Sequence, residues 1–421
     1  MAFRRTTICC SAVALVAACC IDAGAQTATA SPRPVKQTRS ADDKSPLQLF
    51  PVAALWTLAL NNTLTAAPAF DETQGFFPLE GDQFAAYDLI RARLLWIAPI
   101  NTTVEPVTSG DTVFVVESGS MAALRAGDGN VVWRVPFDEA LAVPPVISGD
   151  WLITATTSAE IVSRRLLDGA VVWRQHLSAS AHARPAAVQG RLFVSTADSS
   201  VVALNRETGS TLWTRKLGGA GNDILATDKR LYLGSEDRYF YCLNATSGEV
   251  EWRWLTGANV IGLPAIDDQT VYFVSLDNVL RGLNRSSGVQ RWKSSLPLRP
   301  TTGPVKWSQT IVVAGSAAGL KAYRAKDGKP LGEAPTNSEL SAPVRLVSDP
   351  SLPFPILLAV TSDITGRAMV TASTRTVEPA IEPVGPLPNA VVLEAPADEP
   401  VDLGEISPLP NLSPMSPATG P

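Results

Sequence analysis

The chain alternates short apolar runs with polar turn signals on a repeating plan. Four stretches show it: Pro106–Val116 (PVTSGDTVFVV), Pro145–Ala155 (PVISGDWLITA), Pro185–Ser195 (PAAVQGRLFVS) and Pro264–Ser275 (PAIDDQTVYFVS). Each opens on proline and is split by a polar pair such as Gly110-Asp111, Gly149-Asp150 or Gln189-Gly190. Apolar and polar positions alternate on either side, the mark of two half-buried strands joined by a tight turn. A second turn begins at Asp198, Asp237 and Asp277, and a third lies in the strings LRAGDGNVVW (124–133), LNRETGSTLW (204–213), LNATSGEVEW (243–252) and LNRSSGVQRW (283–292). The glycines of that third turn, Gly129, Gly169, Gly209, Gly248, Gly288 and Gly328, follow a polar residue such as Asn205, Asn244 or Asn284, as a turn with positive φ requires. Each unit therefore supplies four short antiparallel strands.

Tryptophan fixes the period. Trp56, Trp96, Trp133, Trp173, Trp213, Trp252 and Trp292 are separated by 40, 37, 40, 40, 39 and 40 residues. A repeat of about 40 to 45 residues is the register of a four-stranded propeller blade. The seventh unit runs to Gly332, where the expected tryptophan is missing, and residues 343–373 hold three more strand-like stretches without a fourth. The segment Val52–Leu60 carries Trp56 in the phase of a fourth strand with no blade before it. Joining the two predicts an all-β, eight-bladed propeller clasped by both termini, which removes the open edge of an unclosed ring; a seven-bladed ring is the alternative. A tryptophan at one place in every blade is read as packing, since burying such a side chain contributes about 1.5 to 3 kcal/mol or more.

The repeat string of Asn205, Thr208, Gly209 and Trp213, recurring at Asn244, Ser247, Gly248 and Trp252 and at Asn284, Ser287, Gly288 and Trp292, resembles the tryptophan-docking repeat of pyrroloquinoline quinone (PQQ) type propellers. That superfamily has an oxidoreductase branch, in which PQQ sits with calcium at the ring axis, and a cofactor-free branch of BamB-like outer-membrane protein assembly factors. Length, leader and repeat spacing resemble the second. The resemblance implies a scaffold whose partner is a subunit of the β-barrel assembly machinery, acting as a monomer within that complex. The alternatives are a small PQQ-dependent oxidoreductase and a propeller that binds carbohydrate or cell wall, the last recognisable by an aromatic platform in the channel.

Composition narrows these readings. The chain has 421 residues, 45% hydrophobic and 18% charged, with a net charge of -5. No basic block occurs in its middle, which argues against nucleic acid. Residues 1–25 read as an export signal, with Arg4 and Arg5 ahead of an apolar run too short to span a membrane as a mature helix. Cleavage before Cys19 would leave that cysteine lipidated and the protein attached to the outer membrane; cleavage before Gln26 would release it into the periplasm. Residues 26–47 read as a flexible linker, 48–376 as the propeller, and 377–421 as a disordered acidic tail with 11 prolines, 7 acidic residues and no Lys or Arg.

Chemistry is sparse. Glu236-Asp237 and Asp267-Asp268 read as solvated turns, and calcium would need six to eight oxygens. His176 and His182 read as loop residues; Ser195, Ser235 and Ser275 recur with the repeat, and Cys242 fills a slot held elsewhere by Ala123, Ala203 and Ala322. No catalytic, cofactor or metal residue is assigned. Departures from the repeat are more informative. In the unit ending at Trp173, Ser163-Arg164-Arg165 stands in for Ala-Leu-Asn and is followed by Leu166 and Leu167. Arg164 in a leucine slot means either a register change or an exposed Arg and Leu patch for a partner. In the unit ending at Trp252, Arg238, Tyr239 and Trp254 form a second candidate partner surface.

Overall fold

The computed structural model describes residues 48–316, 319–348 and 352–376. Thirty-two strands form eight four-stranded antiparallel sheets, the blades of an eight-bladed propeller. The first four strands after the N-terminal one, Ala69–Phe70, Gln74–Leu79, Gln83–Asp88 and Arg93–Pro99, make blade 1. Blades 2 to 7 follow in chain order and end on Val131–Pro136, Val171–His176, Thr211–Lys216, Val250–Leu255, Gln290–Ser295 and Pro330–Ala334. Blade 8 joins the two ends of the ring: Arg345–Val347, Ile356–Ser362 and Ala368–Arg375 from the C-terminal side, and Val52–Ala59 as its outer strand. Val52 pairs with Arg375 and Ala59 with Met369. The ring therefore closes with eight blades, and Trp56 stands in the fourth strand of the last.

Alternation within each blade sends one set of side chains toward the preceding blade and the other toward the next. Val202 and Leu204 of blade 4 pack with Ile153 and Ile161 of blade 3, whereas Val201 and Ala203 pack with Leu231 and Leu243 of blade 5. The core is thus a set of apolar layers between blades.

Tryptophans seal these layers by a common geometry. The indole Nε1–H of Trp96, Trp133, Trp173, Trp213, Trp252 and Trp292 donates to a carbonyl of the following blade, at Ala126, Leu166, Arg206, Ala245, Arg285 and Ala325, over 2.7 to 3.3 Å. The ring lies flat on the glycine turn of that blade. At Gly209, with φ at +75°, a Cβ would fall 2.5 Å from Trp173 Cε3, so the position needs both the left-handed backbone and the bare Cα. A small residue is also required beneath each indole, opposite it in the sheet: Ala203 pairs with Trp213 and Cys242 with Trp252.

Two joints depart from this recipe. In blade 7 the tryptophan position holds Gly332, and Phe50 fills the gap from the N-terminal segment, with Cδ1 3.6 Å from where a Gly332 Cβ would stand. Phe50 and Leu49 are fully buried among Val312, Leu320, Ala334, Leu357 and Ala359 of blades 7 and 8. The Leu49 amide donates to Thr310 Oγ1 at 2.9 Å, and Arg375 donates to the Gln48 carbonyl. At the joint of blades 8 and 1, Trp56 meets a turn whose glycine slot holds Ala92, still at a positive φ of 49°. Trp56, Tyr87 and Ile90 pack against one apolar cluster that includes Leu89, but the buried Trp56 Nε1 has no partner among the described residues.

Candidate functional site

In every blade the turns joining strands one to two and three to four lie on one face of the disc. The turns joining strands two to three, and the connections between blades, lie on the other. This placement separates the two candidate partner patches. Leu166 and Leu167 lie in a three-to-four turn just after Arg165 ends its strand, whereas Arg238 lies in a two-to-three turn, with Tyr239 opening the next strand and Trp254 near the end of the strand that runs toward that turn. They lie on opposite faces and do not form one surface.

Arg164 is neither out of register nor exposed, which corrects both expectations for it. It pairs with Leu152, and the bulge beside it falls where the other blades have theirs, as at Ala203/Leu204 and Cys242/Leu243. The leucine slot faces the preceding blade, so the side chain is enclosed between blades 2 and 3 and only 5% exposed. Its guanidinium lies 5.4 Å from the Phe137 ring centroid, and Nη1 donates to the Gly169 carbonyl at 3.2 Å. Burial lowers its pKa, with Glu139 opposing that shift. An Arg can occupy a leucine slot because its stem is apolar and its head finds an aromatic face and a turn carbonyl.

The rest of that segment divides by direction. Arg165 is exposed and paired with Asp168 at 3.1 Å; Leu166 is half-buried and gives its carbonyl to Trp133. Leu167 is 77% exposed at the tip of the turn. Its equivalents in blades 4, 5 and 6 are Glu207, Thr246 and Ser286, so a leucine here is a departure that the fold does not require. In the second patch Arg238 is exposed, and Tyr239 is half-buried with the Arg253 guanidinium 4.5 Å above its ring. Trp254 packs toward blade 6 beside Phe240 and Phe273. Phe240 and Tyr241 alternate into the two layers and are buried. On the same face, Ile364 is fully exposed at the two-to-three turn of blade 8.

The channel mouth on that face gathers groups that the linear sequence keeps apart. His182, Arg184, Asn222 and Asp223 line a hollow of about 350 Å³ with Val143, Pro144, Ile261 and Gly262. Arg184 makes a two-pronged ion pair with Glu105 of blade 2, and His182 Nε2 lies 3.6 Å from Glu236. Burial raises the pKa of Asp223, which Arg184 only partly offsets. His182 reads as an ordinary loop residue in the sequence because its neighbours here come from distant parts of the chain: two first strands, the connection at Asn222 and Asp223, and the turn at Glu236. No linear signal could have found the group.

These residues do not fit a calcium-bound quinone. Calcium takes six to eight oxygens, whereas the mouth offers two half-buried carboxyls, Glu105 already held by Arg184 and Asp223 beside the same Arg, and the Asn222 amide already donates to the Val260 carbonyl. Among the described residues that line the hollow there is no Phe, Tyr or Trp ring. Among the described residues no group of three or more His, Cys, Asp or Glu is placed to hold a metal. The turn carboxylates are used locally: Asp237 accepts from the Tyr241 hydroxyl at 2.5 Å, and Asp267 caps the amides of Gln269 and Thr270. Ser195 and Ser235 are buried and donate to the carbonyls of Gly221 and Gly219.

Eight blades, six of their joints sealed by docked tryptophans, define a propeller of the tryptophan-docking class. The family profile described as "Outer membrane protein assembly factor BamB" matches residues 53–140, 117–226 and 200–362, and the chain belongs to that family. Over 111 residues it is 26% identical to the outer membrane protein assembly factor BamB of Yersinia pestis, a match that spans 25% of this chain and 28% of that relative. The crystal structure of BamB from Moraxella catarrhalis superposes with a TM-score of 0.60 at 20% identity, over 76% of this chain and 99% of that one. Quinohemoprotein alcohol dehydrogenase from Comamonas testosteroni gives 0.61 at 12% identity, over 77% of this chain and 76% of that enzyme. Both likenesses are of fold.

Proposed function

We propose that the chain is a non-catalytic envelope scaffold that holds protein partners during the assembly of outer-membrane β-barrel proteins. The observation that supports it is the family profile running through nearly the whole ring, residues 53–362. The repeat geometry agrees, since units of 37 to 40 residues leave little chain for the insertions that would build a catalytic site. Recognition without chemistry needs exposed apolar groups on a rigid frame. Leu167 on one face and Ile364 on the other supply them, at turns where packing asks for nothing apolar. On this reading the protein is exported, works in the periplasm and is held at the outer membrane through Cys19. Its partner is a subunit of the β-barrel assembly machinery, and no PQQ or calcium takes part.

Quantitative mass spectrometry of outer membranes from cells lacking the chain tests the proposal. Barrel proteins are expected to fall and to be restored by the wild-type chain but not by a Leu167→Asp variant. Unchanged barrel levels would overturn the scaffold role. Tight stoichiometric binding of PQQ with calcium, with alcohol-dependent dye reduction, would replace it with the oxidoreductase reading. Mass spectrometry of the mature N-terminus distinguishes a lipidated Cys19 from a free Gln26.

A further inference from the structure

Seven of the eight outer strands carry at least one charged side chain: Arg93, Arg134, Arg174, Arg215 with Lys216, Glu251 with Arg253, Arg291 with Lys293, and Glu333. Charge on an edge strand keeps other strands from pairing with it. Val52–Ala59 of blade 8 is the exception. It is the longest outer strand, with eight residues against five to seven in the others, and it has no charge at all. Ala53, Ala54, Leu55 and Ala59 are exposed, and among the described residues only Ala368–Arg375 pairs with it, on its inner side. Among the described residues its outward backbone groups lack strand partners.

The chain itself brings a candidate to this edge. Arg375 pairs with Val52, and the Thr376 amide donates to the Pro51 carbonyl at 3.3 Å. Residues 377–421 therefore continue from one end of the open edge. Prolines interrupt that tail throughout, and a proline cannot donate to a ladder. The stretch Asn389–Ala395, NAVVLEA between Pro388 and Pro396, escapes this and holds four consecutive apolar residues, two of them β-branched. The other proline-free stretch of that length, Val401–Ser407, contains Gly404 and two acids. The twelve residues 377–388 reach about 40 Å when extended, more than the roughly 26 Å length of an eight-residue strand, so the stretch can run antiparallel along the whole edge.

We propose that residues 389–395 add to Val52–Ala59 as a fifth strand, so that blade 8 is capped by the C-terminal tail in place of edge charges. The fifth strand is independent of the scaffold role proposed above. Hydrogen–deuterium exchange on the full mature chain tests it, set against a chain ending at Thr376 and a full-length Val392→Pro variant. Alternate amides between Val52 and Ala59 are expected to exchange at least tenfold faster in both altered chains, while amides of Thr211–Lys216 are unaffected. Equal rates in all three chains would overturn the proposal. Protection that rises with protein concentration, with a doubled mass in light scattering, would overturn it too, because a second copy would then be the occupant.

Discussion

The joint between blades 3 and 4 and the joints on either side of blade 8 solve one problem by different means. At the first, Trp173 lies on the bare Cα of Gly209 and donates to the Arg206 carbonyl, all within one repeat and the next. At the closure, Phe50 comes from outside the repeat to fill the place left by Gly332, and Trp56 faces a turn whose glycine slot holds Ala92, its indole N–H without a partner among the described residues. A repeated joint is thus a local recipe that any two successive units can carry out. The closing joint is assembled from the two ends of the chain, and its parts answer to position in the ring rather than to the repeat.

Substitutions can break or sharpen that contrast. Trp173→Ala should destabilise most, by about 3 to 5 kcal/mol in chemical denaturation, because it empties a buried aromatic site and removes its hydrogen bond. Phe50→Ala should come next, at about 2 to 4 kcal/mol, since the cavity opens beside a joint that the terminal segment can partly follow. If Phe50→Ala cost nothing, residues 48–50 would be an appendage and not part of the closure. Gly209→Ala should cost about 1 to 3 kcal/mol through overpacking against Trp173 and the positive φ. The reverse change at the closure, Ala92→Gly, should be neutral or add up to about 1 kcal/mol, by giving Trp56 the seat its counterparts have. A loss of stability in Ala92→Gly would show that the Ala92 methyl is the better filler there.

The slot beneath the indole also gives a small effect. Cys242→Ala installs the residue of blade 4 and should lower stability by less than about 1.5 kcal/mol. Burial pushes the Cys242 thiol up from its ordinary value of 9.0 to about 12. The folded chain then keeps a proton that the unfolded chain loses, so this group's contribution is full below pH 9 and is lost as pH rises toward 12. Alkylation at pH 9 should label Cys242 only after unfolding, and the Cys242→Ala variant should lose less stability than the parent over that alkaline range. Rapid labelling of the folded chain would place the thiol outside the layer.

The blades were legible in the sequence because each is local: proline-led alternation, a polar pair, an asparagine-to-glycine turn and a tryptophan follow in one stretch of about 40 residues. The eight-bladed count was legible too, from Trp56 at one end and the missing tryptophan at Gly332 at the other. Arg164 shows where such reading stops. The string Ser163-Arg164-Arg165 looks like a break in register or an exposed patch, yet the side chain is buried on Phe137 of the preceding blade. Which layer a strand position faces, and what waits there, depends on the neighbouring blade. The channel mouth lies further beyond sequence reading, since Glu105, the His182 and Arg184 pair, and Asp223 come from three separate connections and meet only when the blades pack side by side.

The sequence by itself determined the repeat and the four-stranded unit, because these follow from short-range periodicity and turn chemistry, and it favoured eight blades closed by a shared strand over a ring of seven. Only the tertiary structure decided that Phe50 replaces the absent tryptophan, that Trp56 has no hydrogen-bond partner among the described residues, that Arg164 is enclosed and Leu167 exposed, and that the two candidate patches lie on opposite faces. These depend on contacts between segments tens to hundreds of residues apart, where shape and burial select the partner and no local pattern records it.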